Sequence, residues 1–485
     1  MINSQNIKWV YGIAIAFIIL NAIFIIGGNY YLNFLPIVAL VAMFAIFSIK
    51  NLIYLIVFLT PLSIQLEDIA KASFNMALPT EPLILGVLLL LILKLLLDKS
   101  FDRKILKHPI SIAIYINLGW MLITSLTSTM PIVSLKFLLV RVWYVGVFYF
   151  VVTEMFKKYS EINKYVWIYV LSFLIVITYS IVRLAGFGLL NQKAAHFVMT
   201  PFYNDHTSYG AILAMYIPVI LGFIFYSKYS KAFKILISLI LAYFIFAIIL
   251  SYTRAAWLGL ALALGVYIIV KMKIKFRTIA IGFSVLLVFF LIFQKSIMLQ
   301  LQENDQDSST DLANHVKSIS NVSTDASNVE RINRWKCAFR MFSEKPILGW
   351  GPGTYQFKYA PFQLSYEKTI ISTNSGDMGN AHSEYIGPLS ESGLVGSLSF
   401  ILIIIVTIYT GLKVYHKTKN KDIKMLSLVF ILSLITYYFH GFLNNFLDTD
   451  KASVPFWGFT AILVALDIYH TNDESKTPEI VENKE

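Results

Sequence analysis

The feature that most limits what this chain can fold into is a recurring block. Nearly uncharged apolar residues run for roughly 20 positions, then a short polar or basic connection follows, again and again. Coiled into a helix, such a run matches the hydrocarbon thickness of a bilayer, and a helix satisfies its own backbone in a solvent that offers no hydrogen bonds. Reading for such runs gives about fourteen, near 10–27, 32–49, 51–66, 82–97, 110–128, 138–156, 166–184, 209–226, 235–250, 257–270, 278–293, 393–414, 425–445 and 456–469. The runs at 257–270 and 456–469 are short, which places the count at about twelve to fourteen. Composition excludes the alternative of several soluble domains. Only 14% of the 485 residues are charged and 57% are hydrophobic, whereas a soluble surface needs about 25% charged residues. The expected fold class is an all-α polytopic membrane protein. The run at 10–26 has no small-residue cleavage site after it, so it is expected to be a retained span and not a signal peptide.

Basic residues test that count independently. Lys99, Arg103, Lys104 and Lys107 follow the fourth run, and Lys157, Lys158 and Lys164 the sixth. Lys228, Lys231 and Lys234 follow the eighth; Lys271, Lys273, Lys275 and Arg277 the tenth; Lys417, Lys419, Lys421 and Lys424 the twelfth. This alternation predicts both termini on the cytoplasmic side. It also accounts for the formal charge of +12 without a nucleic-acid partner. The expected organisation is spans one to eleven over 1–293, a large outer loop over 294–392, spans twelve to fourteen over 393–469 and a disordered cytoplasmic tail over 470–485.

A loop of about a hundred residues is far longer than an ordinary connection and points to function. Its first part, with Glu303, Asp305, Asp307 and Asp311, reads as solvated. A helical pattern then begins near Asn328 with Ile332, Trp335, Phe339 and Phe342 on one apolar stripe, and Pro346, Gly349, Gly351, Pro352 and Gly353 break it.

Several polar residues at run boundaries need a reason. Arg254 lies at an outer boundary, where snorkelling to the interface competes with binding of an anion. Arg331 and Arg334 share a helix with Trp335, spaced so that the indole packs under the Arg331 stem. They are either a solvated face or guanidinium forks for a phosphate-bearing ligand. His382, with Glu384 and Glu391 close in sequence, is either structural or a general base titrating near neutrality. Asp205 and His206 precede another span, where Asp205 or Thr207 would serve equally as a helix N-cap. No P-loop, dinucleotide fingerprint, HExxH pair or EF-hand loop occurs, and the single cysteine, Cys337, excludes multi-thiolate metal sites.

Three blocks stand in a characteristic order: SYTRAAWLG at 251–259, ERINRWKCAFRMFSEKPILGWGPGTY at 330–355 and AHSEYIGPLSESGLVG at 381–396. Together they resemble the O-antigen ligase/O-antigen polymerase superfamily of bacterial envelope glycosyltransferases, over roughly residues 205 to 450. The resemblance implies a GT-C-like helical fold and a catalytic set of Arg254, Arg331 and His382. Arg334, Trp335, Glu384, Asp205 and His206 become candidates for substrate binding. It further implies an undecaprenyl-diphosphate-linked glycan donor, an acceptor that is a glycan, lipid A-core or protein Ser/Thr, and no metal or nucleotide cofactor. The site would be periplasmic, on the bacterial inner membrane. The chain departs from the ligase pattern in its His-Ser pair, where His-Asn is common, and in having more runs than twelve; Arg334 has no counterpart. A lipid flippase or transporter is the competing class. It would show internal repeats and mid-span polar residues, whereas charge here gathers at run ends.

Overall fold

A computed structural model describes residues 4–27, 32, 48–69, 76–98, 101–275, scattered positions between 277 and 292, 326–368, 372 and 379–471. The expected spans near 32–49 and 278–293 are described only at scattered positions, and the acidic run Glu303–Asp311 and nearly all of the tail lie outside the described residues. The chain is an all-α polytopic membrane protein, with nine described helices long and apolar enough to cross a bilayer. Two short paired segments, Ile64–Gln65 and Ala77–Leu78, are the strands among the described residues.

The chain divides into two compact units, Met1–Ile56 and Val57–Glu485. The first contains helix α1 (Ser4–Ile26), whose Tyr11, Ile15, Ile18 and Ile23 are exposed, and the start of α2 (Ile49–Leu59). The second holds α3 (Thr80–Asp98), α4 (Pro109–Leu126), α5 (Pro131–Val145, continuing to Met155), α6 (Tyr159–Phe187), α7 (His206–Ile224), α8 (Lys231–Leu250) and α9 (Arg254–Lys271). The amphipathic α10 (Ala326–Glu344) follows, then α11 (Ile386–Lys417), α12 (Lys421–Leu443) and α13 (Asp450–Ala465, continuing to His470). Helix starts follow local chemistry. The Asp205, Ser230 and Asn420 side chains accept from backbone N–H groups in the first turns of α7, α8 and α12, and Pro109 and Pro131 occupy first-turn positions of α4 and α5.

Helices α12 and α13 form the core, each 83% buried over its apolar window, whereas α9 is 17% buried and turns most of its surface outward. α12 packs against α7, α9 and α11, and α11 packs against α4 and α10. Small residues allow these approaches: a Cβ on Gly259 of α9 would meet the Thr436 carbonyl oxygen of α12 at 2.9 Å.

The start of α11 is bent at Gly393, which has φ +69°. The segment Pro346–Gly353 lies across that bend. Trp350 N–H donates to Ser390 O (3.0 Å), Gly351 N–H to Glu391 O (2.7 Å), and Leu394 N–H to Pro346 O (2.9 Å). Gly349, Gly351 and Gly353 all have positive φ, and a Cβ on Gly349 would sit 2.4 Å from the Glu391 backbone. These glycines therefore do more than end α10: they let two backbones touch.

The expected apolar stripe of α10 is not its buried face. Asn333, Arg334, Cys337, Ala338 and Met341 are buried, whereas Phe339 is 47% exposed. The polar groups point inward because they find partners there: Arg334 pairs with Glu330 and stacks on Tyr359, and Cys337 contacts Phe362 O.

Gly393→Ala would place a Cβ 2.0 Å from the Ile347 carbonyl oxygen at φ +69°. We expect a loss of at least ~2 kcal/mol, from left-handed strain of ~1–2 kcal/mol plus the backbone clash. Thermal unfolding of the detergent-solubilised protein checks this; an unchanged midpoint would mean that the bend tolerates an L side chain.

Candidate functional site

Three separate stretches of chain converge at one end of the bundle. The first is the start of α7. Asp205 Oδ1 accepts from Ser208 N–H (2.7 Å) and from the Thr207 hydroxyl (2.8 Å), the N-cap read from sequence. Burial works against the Asp205 charge, but these donors outweigh it and hold the carboxyl below its usual range. The second is the turn before α9. Thr253 Oγ1 donates to His206 O (2.7 Å) and closes over Gly210, so half-buried Arg254 begins its helix beside the first turn of α7. Tyr252, two residues earlier, is held at φ 51° by a fold that also ties its hydroxyl to Leu190 O (3.1 Å). The third is the loop before α11, where His382 sits at φ 47° and donates its backbone N–H to Asn380 Oδ1 (3.0 Å).

Arg331, from α10, joins the three. Its charge acts on His382, together with those of Arg334, Asp205 and Glu330. It acts on His206 together with Arg254, and on His440 together with Asp205. Burial first, and then the Arg331 guanidinium, push the His382 imidazole down to about 4. At neutral pH that ring is therefore a neutral base beside fixed positive charge. Such a site attracts an anion and keeps a proton acceptor ready next to it.

Two further histidines, His440 and His196, carry no sequence signal. His440 closes α12, and an amide–imidazole contact of 3.1 Å joins Asn444 Nδ2 to its Nε2. His196 stacks on His206 with centroids 4.1 Å apart. Each is a lone histidine in sequence with no spacing pattern around it, so only the fold could reveal them.

Other expected site residues are held by protein partners. Arg334 Nε donates to Glu330 Oε1 (2.7 Å), its guanidinium lies 3.9 Å from the centre of the Tyr359 ring, and its carbonyl accepts from Tyr355 OH (2.7 Å). Ser372 adds a hydrogen bond to Glu330. Arg334 thus clamps α10 onto the segment after it, and Arg340 does the same through a two-point contact with Glu367 (2.7 and 2.6 Å). The Trp335 ring packs edge-on against Phe442 at 5.1 Å. Glu384 Oε1 accepts from Tyr437 OH (2.9 Å) and from the N–H groups of Phe446 and Leu447 (2.8 Å each), which ties the His382 loop to the turn after α12.

Residues 239–401 match the family model described as O-antigen ligase. This segment is similar to that family, and the match supports the O-antigen ligase/polymerase family that the three sequence blocks resemble. The matched segment contains Arg254, Arg331 and His382, while Asp205, His206 and His440 lie outside it. No curated protein matches the chain. An O-antigen ligase/polymerase-type activity on lipid-linked glycans at a membrane is the function this family carries.

Burial pushes the Glu384 carboxyl up to about 7, with Arg141 pulling it back. The folded protein therefore holds this proton above the ordinary value of 4.5, and the stability so gained is present below pH 4.5 and lost as pH rises through about 7. Glu384→Gln keeps the accepting oxygen and should flatten this dependence. Glu384→Ala strands two buried donors, Tyr437 OH and Leu447 N–H, and should cost at least ~2 kcal/mol. Unfolding midpoints of both variants between pH 4.5 and about 7 test this strut; an Ala variant as stable as wild type would contradict it.

Proposed function

We propose that the chain transfers a glycan from an undecaprenyl-diphosphate-linked donor to an acceptor hydroxyl at the periplasmic face of the bacterial inner membrane. Both termini would be cytoplasmic, and the segment 294–392 would be the periplasmic loop. The observation that carries this reading is the meeting of three chain stretches: Thr253 Oγ1 ties the Arg254 turn to His206 O (2.7 Å), and the Arg331 charge reaches both His206 and His382.

In this reading the acceptor oxygen attacks the anomeric carbon while the C1–O bond to the diphosphate breaks. The acceptor proton passes to His382, and the electron pair leaves with the lipid diphosphate. Arg254 and Arg331 bind that group and stabilise the charge that grows on its bridging oxygen, the same electrostatic task as an oxyanion hole. Planar guanidinium forks suit two adjacent phosphates better than an ammonium would. The single displacement inverts the anomeric carbon. Arg334 and Glu384 position the loop and helix around the site; Asp205 and His206 border it.

His382, a β-carbon-bearing residue at φ 47°, holds a backbone conformation that costs on the order of 1–3 kcal/mol, and such strain tends to persist where it fixes a functional group. The acceptor is lipid A-core in a ligase, a second lipid-linked repeat in a polymerase, or a protein hydroxyl in a protein glycosyltransferase. Deletion followed by gel analysis of surface glycans separates these. A single-rung ladder indicates a polymerase, and polymer retained on its lipid indicates a ligase.

Arg331→Ala and Arg254→Ala should abolish transfer in a protein that still inserts and folds. Arg331→Lys should lose most activity, since it keeps the charge and removes the fork; wild-type turnover in this variant would reduce the site to simple charge. His382→Ala should bind donor normally and turn over ~10²–10⁴-fold more slowly.

The acid limb of kcat/KM reports the donor-free protein and should lie near pH 4, where His382 takes up its proton. Bound diphosphate opposes the field of Arg331, so the limb of kcat should lie at higher pH. Two coincident limbs near the ordinary value of 6.5 would show that the imidazole does not sit in the guanidinium field.

A further inference from the structure

A cavity of ≈ 190 Å³ lies between α4, α5, the turn at Gly353–Gln356 and the loop that carries His382. Ala381 and Ser383, on either side of His382, both line it, as does Asn380, whose side chain holds the His382 N–H. Neither Arg254 nor Arg331 borders it. The volume is well below the roughly 300–1,000 Å³ of a pocket for a drug-sized ligand and is on the scale of one sugar ring.

Its wall has two kinds of surface. One is aromatic and fixed: Trp120 Nε1 donates to Ser392 O (2.8 Å), and the Arg141 guanidinium lies 5.6 Å from the centre of the Phe137 ring. The other is polar and mixed. Arg141 is a single cation whose charge acts on three carboxyls around the cavity, Glu384, Glu391 and Asp448. The amides of Asn117, Gln356 and Asn445 complete the wall beside these charged groups. Amide side chains both donate and accept, so the wall suits a ligand that carries both functions.

A pyranose ring is such a ligand. Its C–H face lies flat on an aromatic ring, and each hydroxyl both donates and accepts. A diphosphate fits this wall poorly, because Arg141 is the one cation among the described residues that line it, whereas Arg254 and Arg331 lie outside it. On the reading that the chain transfers glycans, we infer that this cavity seats one pyranose ring of the acceptor and presents its neighbouring hydroxyl to the His382 loop. The diphosphate site and the acceptor-sugar site are then separate, and they meet at that loop.

The test uses the full chain in nanodiscs with methyl glucopyranoside, methyl galactopyranoside and methyl N-acetylglucosaminide as probes. Saturation-transfer NMR should detect at least one of them on the wild-type protein. Gln356→Trp, which fills the cavity, and Asn445→Leu, which replaces an amide of its wall by an apolar group, should each cut that signal at least about fivefold, corresponding to ~1 kcal/mol in affinity. Asp448→Asn provides an isosteric check should a larger change lower the thermal midpoint. In glycan transfer these variants should raise the acceptor KM about tenfold and leave the donor KM unchanged.

Absence of signal for every probe, or equal signal in all variants, would overturn the assignment. A rise in donor KM alone would also overturn it, because the ring would then belong to the donor. Cavity-dependent probe binding in a protein that transfers no glycan would refute the transfer reading and leave the sugar site standing.

Discussion

The structure depends on two backbones lying in contact. The segment Pro346–Gly353 is laced to the bent start of α11 by main-chain hydrogen bonds, and that contact exists because glycine removes the side chains that would separate them. One side of the lacing leads back into α10, which carries Arg331; the other leads back through the His382 loop. The placement of α10 against the His382 loop therefore rests on backbone contact. The contacts of Arg334 with Tyr359 and Tyr355 and the ion pair Arg340–Glu367 reinforce this by tying α10 to the segments that follow it.

Electrostatics then distinguishes two neighbouring regions. Around Arg331, burial and fixed positive charge favour a neutral His382 and an incoming anion. The adjacent cavity is lined differently: Arg141 stands among Glu384, Glu391 and Asp448, beside the aromatic rings of Trp120 and Phe137. Burial in low dielectric favours the protonated form of Glu384 there. The proposed transfer would use this difference, with an anion on one side of the His382 loop and an uncharged hydroxylated ring on the other.

The three catalytic candidates are legible in the order of residues along the chain. A charge at the end of an apolar run has no packing reason to be there, and Arg254 and His382 stand out on that ground. Arg331 stands out through its spacing to Trp335. The same reasoning does not foresee the protein partners of their neighbours. The spacing that suggests Trp335 beneath Arg331 fits local helix geometry, but the indole packs on Phe442, which lies far away in sequence. Arg334 and Glu384 look like ligand groups in sequence; one is clamped by Glu330 and Tyr359, and the other accepts three hydrogen bonds from the end of α12 and the turn after it. His440 and His196 give no signal at all.

What the sequence alone determined is the helical, membrane-spanning character and the capping of its helices. Both are local: an apolar run in hydrocarbon must satisfy its own backbone, and an N-cap needs only the next three residues. The tertiary structure alone decided which polar groups meet, which face of α10 is buried and that a sugar-sized cavity adjoins His382. Those outcomes rest on contacts between residues up to hundreds of positions apart, and in a chain surrounded by lipid hydropathy does not tell inside from outside.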